Sequence, residues 1–143
     1  KSFGFEIKID TNGSFPQRLK KIISEGLVDY LAMDIKAPPE KYHEVAGALV
    51  NLSEVEKSVE IIKESGIDYE FRTTVFSGLT PFDFERIGLW LQKAKRYYLQ
   101  IANLDLPLLD EDFSKKFYSP RREELDEVME RILPFFEEVK IRG

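Results

Sequence analysis

The stretch IKIDTNG, residues 7–13, predicts a β-strand that ends abruptly in a polar turn closed by glycine. Ser14 and Pro16 follow it and predict the start of a helix. Later stretches repeat this pattern of an apolar run with a polar end: LAMDIK at 31–36, YEFRTTV at 69–75 and YYLQIAN at 97–103. Ligands of parallel α/β folds bind at the carboxyl ends of the strands, so these ends form the candidate site.

The totals are those of one domain. The chain has 143 residues and a formal net charge of −5, from 21 basic and 26 acidic side chains spread along the sequence. This balance argues against nucleic acid and anionic membrane surfaces as partners. Charged residues make up 33% of the chain, a composition that leans towards thermophilic proteins. Without a long apolar run or a signal-peptide pattern, we expect a soluble, cytoplasmic protein.

The chain contains no cysteine, which excludes disulfides and thiolate metal sites among its residues. The single histidine, His43, excludes a multi-histidine metal site and is expected at the surface rather than in catalysis. No nucleophilic triad or glycine-rich phosphate loop is present. The chain begins with Lys1 rather than methionine, which we interpret as a sign of a fragment.

Apolar periodicity predicts strands separated by helices, in the order βαβαβαβαβ. The predicted strands cover residues 2–9, 28–35, 67–75, 96–102 and 139–142. Strands that alternate with helices form a parallel sheet with right-handed crossovers. Residues 103–118 form a long connection, and connections of this length are more often functional than accidental.

Helix starts are predicted from capping patterns. Ser14 and Ser53 each have a Gln or Glu three positions later, which matches a capping box. Thr80 precedes Pro81, which suits the first position of a helix because proline lacks the N–H. Ser119 and Pro120 predict the start of the last helix.

One face of each predicted strand is polar and the opposite face is apolar. The polar faces carry Glu6, Lys8 and Asp10, then Tyr30, Asp34 and Lys36, then Glu70, Arg72 and Thr74, then Tyr98 and Gln100. Parallel strands covered on both sides are apolar throughout, so this pattern predicts a curved, incompletely closed barrel whose charged interior holds a ligand. The alternative is a half-exposed sheet with one solvated face.

Two carboxylates end adjacent predicted strands. Asp10 and Asp34, with oxygens from Thr11 and Asn12 nearby, suit a hard cation. Residues 10–13 are equally typical of an ordinary turn and helix start, and that interpretation stays open.

Two cations lie at the same predicted edge. Lys36 suits a carboxylate or phosphate as a point charge, and Arg72 does so through a bidentate fork. Together with the carboxylates they predict a site for a zwitterionic or anionic small molecule. The alternative is that Arg72 pairs with Glu70 or Asp34.

Four motifs in this order resemble the radical S-adenosylmethionine (SAM) activating enzymes, the family of the anaerobic ribonucleoside-triphosphate reductase activating protein and of pyruvate formate-lyase activating enzyme. The motifs are DTNG at 10–13, MDIKAP at 33–38, FRTTV at 71–75 and YYLQ at 97–100. The likeness covers nearly the whole chain, including the ending VKIRG at 139–143.

The resemblance implies a fold and a ligand site. The fold would be a parallel (βα)n partial TIM-type barrel, with about five strands in a single domain over residues 1–143. Asp10, Thr11 and Asp34 would surround a monovalent cation, and Lys36 would approach the methionyl carboxylate of SAM. The complete set of implied cofactor-binding residues is Asp10, Thr11, Asn12, Gly13, Asp34, Lys36, Arg72, Thr74 and Gln100.

The chain departs from the family in one essential respect. The family binds a 4Fe–4S cluster through three cysteines in a CxxxCxxC loop, and this chain has none. We therefore expect it to be the C-terminal part, about two-thirds, of an intact enzyme whose cluster ligands lie upstream. An unprotected first strand, residues 3–9, would then favour a homodimer.

Three hypotheses remain for the function. In the first, the intact enzyme cleaves SAM reductively and abstracts a hydrogen from a glycine of a partner protein, while this chain alone has no radical activity. In the second, the chain is a cluster-free binding module for a small molecule. In the third, Asp10 and Asp34 hold Mg²⁺ in a different barrel enzyme.

Overall fold

The computed structural model describes residues 3–46, 50–101 and 116–143. Within these ranges all strands belong to one parallel sheet, in the order β1-β2-β3-β4-β5. The strands are β1 (Lys8–Thr11), β2 (Tyr30–Asp34), β3 (Asp68–Val75), β4 (Ala94–Ile101) and β5 (Phe136–Arg142). The predicted α/β fold with about five parallel strands is confirmed.

Helices connect successive strands. They are α1 (Pro16–Ser24), α2 (Tyr42–Ala46), α3 (Leu52–Glu64), α4 (Pro81–Leu91) and α5 (Asp126–Ile132). Short 3₁₀ turns cover Pro39–Lys41, Arg122–Leu125 and Leu133–Phe135. In the described ranges, none of the helices has the length and apolar character needed to cross a membrane.

Each strand pairs with the next strand in the chain, so the sheet has no point where the strand order reverses. Right-handed crossovers then place the helices on the same side of the sheet. The core lies on that side, where Met33 and Phe71 from the sheet join Val59 of α3 and Ile87 of α4, all fully buried. The opposite face of the sheet stays available for polar side chains.

The first strand is shorter than predicted. β1 begins at Lys8 rather than residue 2. Gly4 has a φ of +77°, which departs from the extended conformation of a strand. Pairing with the β2 segment starts at Ile7, whose N–H donates to the Asp29 carboxylate at 2.8 Å and whose carbonyl accepts from the Asp29 N–H. Phe3 and Phe5 precede the strand and are exposed, and the predicted homodimer through this edge stays a prediction.

Two of the three capping predictions were wrong. At α1 the N-cap is Phe15, without a side-chain cap, because Asn12 accepts the Ser14 N–H and extends the turn by one residue. At α3 the N-cap is Asn51, whose side chain accepts the Ser53 N–H at 3.2 Å. The third prediction is confirmed, since Thr80 and Asp83 form a capping box at α4 with a proline in its first turn.

The C-terminal boundaries also differ from the prediction. The last helix begins at Asp126, after a 3₁₀ turn, rather than at Ser119. β5 begins at Phe136 rather than Val139, because the Phe136 ring stacks on buried Tyr97 at a centroid distance of 4.7 Å. Most of the predicted connection at 103–118 lies outside the described residues.

Lys93 should limit the stability of the fold. It follows α4 with a φ of +66°, the left-handed conformation that glycine adopts without steric cost, and its N–H donates to the Phe135 carbonyl at 3.0 Å. We expect Lys93→Gly to raise the free energy of unfolding by about 0.5–1 kcal/mol, measured by urea denaturation. Lys57→Gly, at an exposed position inside α3, is the matched control and should lower it by about 1 kcal/mol. Equal losses in both variants would contradict the assignment.

Candidate functional site

The sheet register arranges polar side chains in rows across the face opposite the helices. Asp34 of β2 lies beside Arg72 of β3, which lies beside Tyr98 of β4. One step towards the carboxyl edge, Gln100 lies between Thr74 and Arg142. Residues aligned in a parallel sheet point to the same face, so the predicted polar face is confirmed.

A guanidinium joins the two carboxylates predicted at the carboxyl edge. Arg72 Nε donates to Asp34 Oδ1 at 2.9 Å, Nη2 lies 2.8 Å from the same oxygen, and Nη1 donates to Asp10 Oδ2 at 3.1 Å. The Arg72 side chain is 12% exposed, whereas that of Asp10 is 56% exposed. The alternative that Arg72 pairs with Asp34 is therefore confirmed, and Asp10 keeps a solvent-facing side.

Lys36 lies at the same edge, just beyond β2. Its Nζ is 3.4 Å from Asp34 Oδ2, and its side chain remains 42% exposed. Its backbone N–H donates to the hydroxyl of buried Tyr42 at 3.4 Å. The Tyr42 ring packs edge-on against Trp90 of α4, which anchors the segment that follows Lys36. The lysine is thus held at its base and free at its charged end.

The turn after β1 is tightly built. The Gly13 N–H donates to Thr11 Oγ1 at 3.1 Å, and the Gly13 carbonyl accepts from buried Ser58 of α3 at 2.7 Å. Gly13 has a φ of +78°, and a Cβ there would lie 2.2 Å from Met33 Cε. The register pairs Thr11 with Met33 on the helix side, so Thr11 does not join Asp10 on the polar face. Asn12 is exposed.

Thr74 and Gln100 lie side by side on the polar face. Thr74 is exposed and Gln100 is half-buried. In the ranges that the structure describes, neither side chain makes a hydrogen bond. An unpaired hydroxyl and an unpaired amide at the ligand-binding edge of a parallel sheet can recognise a polar group of a small molecule.

The centre of the polar face is Glu70, which the sequence analysis treated only as an alternative partner of Arg72. It is 1% exposed, and it accepts hydrogen bonds from the Tyr30 hydroxyl at 2.8 Å and from Lys8 Nζ at 3.4 Å. Arg142 binds it with two nitrogens, at 2.9 and 3.2 Å. A buried carboxylate needs such partners because desolvation of an unpaired charge is costly.

Arg142, the second residue that sequence reasoning missed, comes from the last strand. Its guanidinium carbon lies 3.7 Å from the centroid of the Tyr98 ring, so the side chain crosses β4 to reach Glu70 on β3. The Tyr98 hydroxyl donates to Glu138, which also accepts from Lys140. The only available signal was the position of Arg142 on the polar face of β5.

These contacts shift the acidity of the central groups. Burial raises the pKa of Glu70, but hydrogen bonds from Arg142 and Tyr30 and the charges of Arg142 and Lys8 outweigh it, so the pKa lies below its usual value. Burial and the neighbouring Glu70 carboxylate raise the pKa of Tyr30 to about 12. Burial lowers the pKa of Arg72, but Asp34 and Asp10 outweigh it and raise the pKa overall. The face is thus a network of fixed charges at neutral pH.

The predicted cation site is not formed as a cluster of acidic ligands. Among residues 3–46, 50–101 and 116–143, no group of three or more His, Asp or Glu side chains could hold a metal ion. The positive charge between Asp10 and Asp34 is the Arg72 guanidinium. The monovalent cation and the alternative Mg²⁺ stay predictions.

Comparisons with known proteins identify the family. The model of the radical SAM superfamily matches residues 1–91 of the chain. The chain belongs to this superfamily.

A curated relative extends this identification beyond residue 91. A putative glycyl-radical enzyme activating enzyme from Methanocaldococcus jannaschii is 31% identical over 147 aligned residues, with 99% of this chain covered. The chain spans 60% of the length of that relative. The resemblance to radical SAM activating enzymes is therefore confirmed.

A solved structure supports the fold. A domain of pyruvate-formate lyase-activating enzyme from Bacteroides vulgatus superposes with a TM-score of 0.71 at 15% identity, covering 99% of this chain and 84% of that one. At this identity the likeness concerns the fold alone. The predicted parallel partial TIM-type barrel is confirmed.

The charge of Glu70 should make the fold sensitive to acid. Because its folded pKa lies below the usual 4.5, its stabilising contribution is complete above pH 4.5 and is lost as the pH falls through the folded pKa. We expect Glu70→Gln to flatten the decline of the free energy of unfolding below pH 4.5, measured by urea denaturation across pH. The exposed Glu123→Gln is the control and should leave the decline unchanged. Identical curves for the wild type and Glu70→Gln would contradict the network.

Proposed function

We propose that this chain is the SAM-binding part of a radical SAM enzyme that activates a glycyl-radical protein. One observation carries the proposal. At the carboxyl edge of the sheet, the half-exposed ammonium of Lys36 and the half-exposed carboxylate of Asp10 flank the Arg72–Asp34 pair. The methionyl group of SAM carries one carboxylate and one ammonium, so this edge has the charges that such a group requires.

The residues of this chain divide the ligand between them. Lys36 would bind the methionyl carboxylate as a point charge, and Asp10 would face the ammonium. Thr74 and Gln100, unpaired within the described part of the chain, would contact the remaining polar groups of the ligand. The turn at Asn12 and Gly13 would border it, and Thr11 would act by holding the Gly13 N–H.

The cluster does not fit this chain. A 4Fe–4S cluster is bound by cysteine thiolates, and the sequence has no cysteine. In the intact protein the cluster supplies the electron chemistry, and its ligands would come from residues outside this chain. The residues described here bind and orient the small molecule, and no radical step is assigned to them.

The partner is proposed from the relative. Its name describes an activating enzyme for a glycyl-radical enzyme, and the same partner class is our proposal for the intact form of this protein. Together the superfamily match and this relative favour this function over the cluster-free binding module and the Mg²⁺-dependent barrel enzyme. The cytoplasmic location and the thermophilic origin remain predictions from composition.

The lysine at the edge provides the direct test. We expect Lys36→Met to weaken SAM binding about 10- to 100-fold, because one charge-assisted contact to the ligand carboxylate is lost. Isothermal titration of the full-length protein with SAM under anaerobic conditions measures the affinity.

Lys20→Met is the matched control, since Lys20 is an exposed lysine of α1. It should leave the affinity unchanged. Equal affinities of Lys36→Met and the wild type would contradict the placement of the carboxylate, and no binding to the wild type would contradict the function.

A further inference from the structure

Glu70 lies between two arginines that it cannot bind equally. Arg142 holds it with two hydrogen bonds of 2.9 and 3.2 Å. Arg72 Nη1 lies 3.9 Å from the same carboxylate and 3.1 Å from Asp10. Arg72 is therefore one small movement away from exchanging Asp10 for Glu70.

Burial decides which carboxylate attracts a guanidinium more strongly. Glu70 is 1% exposed, whereas the side chain of Asp10 is 56% exposed. Charges interact more strongly where water is excluded, so an unpaired Glu70 would attract Arg72 more strongly than Asp10 does. The other partners of Glu70 are the neutral hydroxyl of Tyr30 and the half-exposed ammonium of Lys8 at 3.4 Å, which leave most of its charge to Arg142.

We propose that Arg142 and Glu70 are positioning residues, and that Arg142 keeps Arg72 on Asp10 and Asp34 by satisfying Glu70. The last strand thereby sets the geometry of the edge formed by β1, β2 and β3. Its relevance to ligand binding rests on the proposed function, because Arg72, Asp10 and Asp34 flank the site proposed for SAM. The Tyr98 ring beneath Arg142 fixes the path along which the guanidinium reaches Glu70.

The proposal predicts an effect on a residue that Arg142 does not touch. In Arg142→Met, Glu70 should draw Arg72 away from Asp34 and break the 2.9 Å hydrogen bond of Arg72 Nε. The Arg72 Nε–H proton should then exchange with water roughly tenfold faster, the factor that the loss of one charge-assisted hydrogen bond implies. In the double variant Glu70→Gln/Arg142→Met the attracting charge is gone, so slow exchange should return.

The measurement is the Nε–H exchange rate in ¹H–¹⁵N spectra of the full-length protein labelled with ¹⁵N-arginine. The Arg72 signal is assigned by its loss in Arg72→Lys. Glu70→Gln alone serves as the control and should keep the slow exchange of the wild type. Unchanged exchange in Arg142→Met would overturn the proposal. Fast exchange in both Arg142→Met and the double variant would also overturn it, because general loosening does not depend on the charge of Glu70.

A conservative variant covers the case in which Arg142→Met does not fold. Arg142→Lys keeps one cation but loses the bidentate contact, so Arg72 Nε–H should exchange faster than in the wild type, and no change would overturn the proposal. SAM titration of the same variants separates the two proposals. Restored Arg72 exchange in a protein that never binds SAM would support the positioning role and contradict the proposed function.

Discussion

The structure depends on one buried carboxylate. Glu70 lies at the centre of the sheet face opposite the helices and gathers Tyr30, Lys8 and Arg142 around it. These partners come from β2, β1 and β5, so a single charge joins strands at both edges of the sheet to its middle. A charge buried to this extent is tolerated only because each of its oxygens is hydrogen-bonded.

The sequential strand order makes such an interior possible. With the helices on one side, the apolar residues of every strand pack into a single core, and the other side is left to polar groups. Charge then has to be balanced within the sheet itself. Towards the carboxyl edge the pairing becomes incomplete, since Lys36 and Asp10 are half-exposed and Thr74 and Gln100 have unpaired side chains in the described ranges. A ligand with charges of both signs can bind where the balance is left open.

Periodicity predicted the fold class, the two faces of the sheet and the position of the site, because alternation along a strand is a local property of the sequence. It failed at the boundaries. β1 starts late because Gly4 and Asp29 decide where pairing begins, and α3 is capped by Asn51 because its side chain reaches the Ser53 N–H first. The partnership of Glu70 with Arg142 spans 72 positions in sequence, and only the register of three strands reveals it.

The most direct test of the account is a crystal structure of the full-length protein with SAM bound. The account predicts that the methionyl carboxylate lies within hydrogen-bonding distance of Lys36 Nζ, on the polar face and at the carboxyl edge of the sheet, with Arg142 still bound to Glu70. SAM bound on the helix side of the sheet, or at the polar face with its carboxylate away from Lys36, would contradict it.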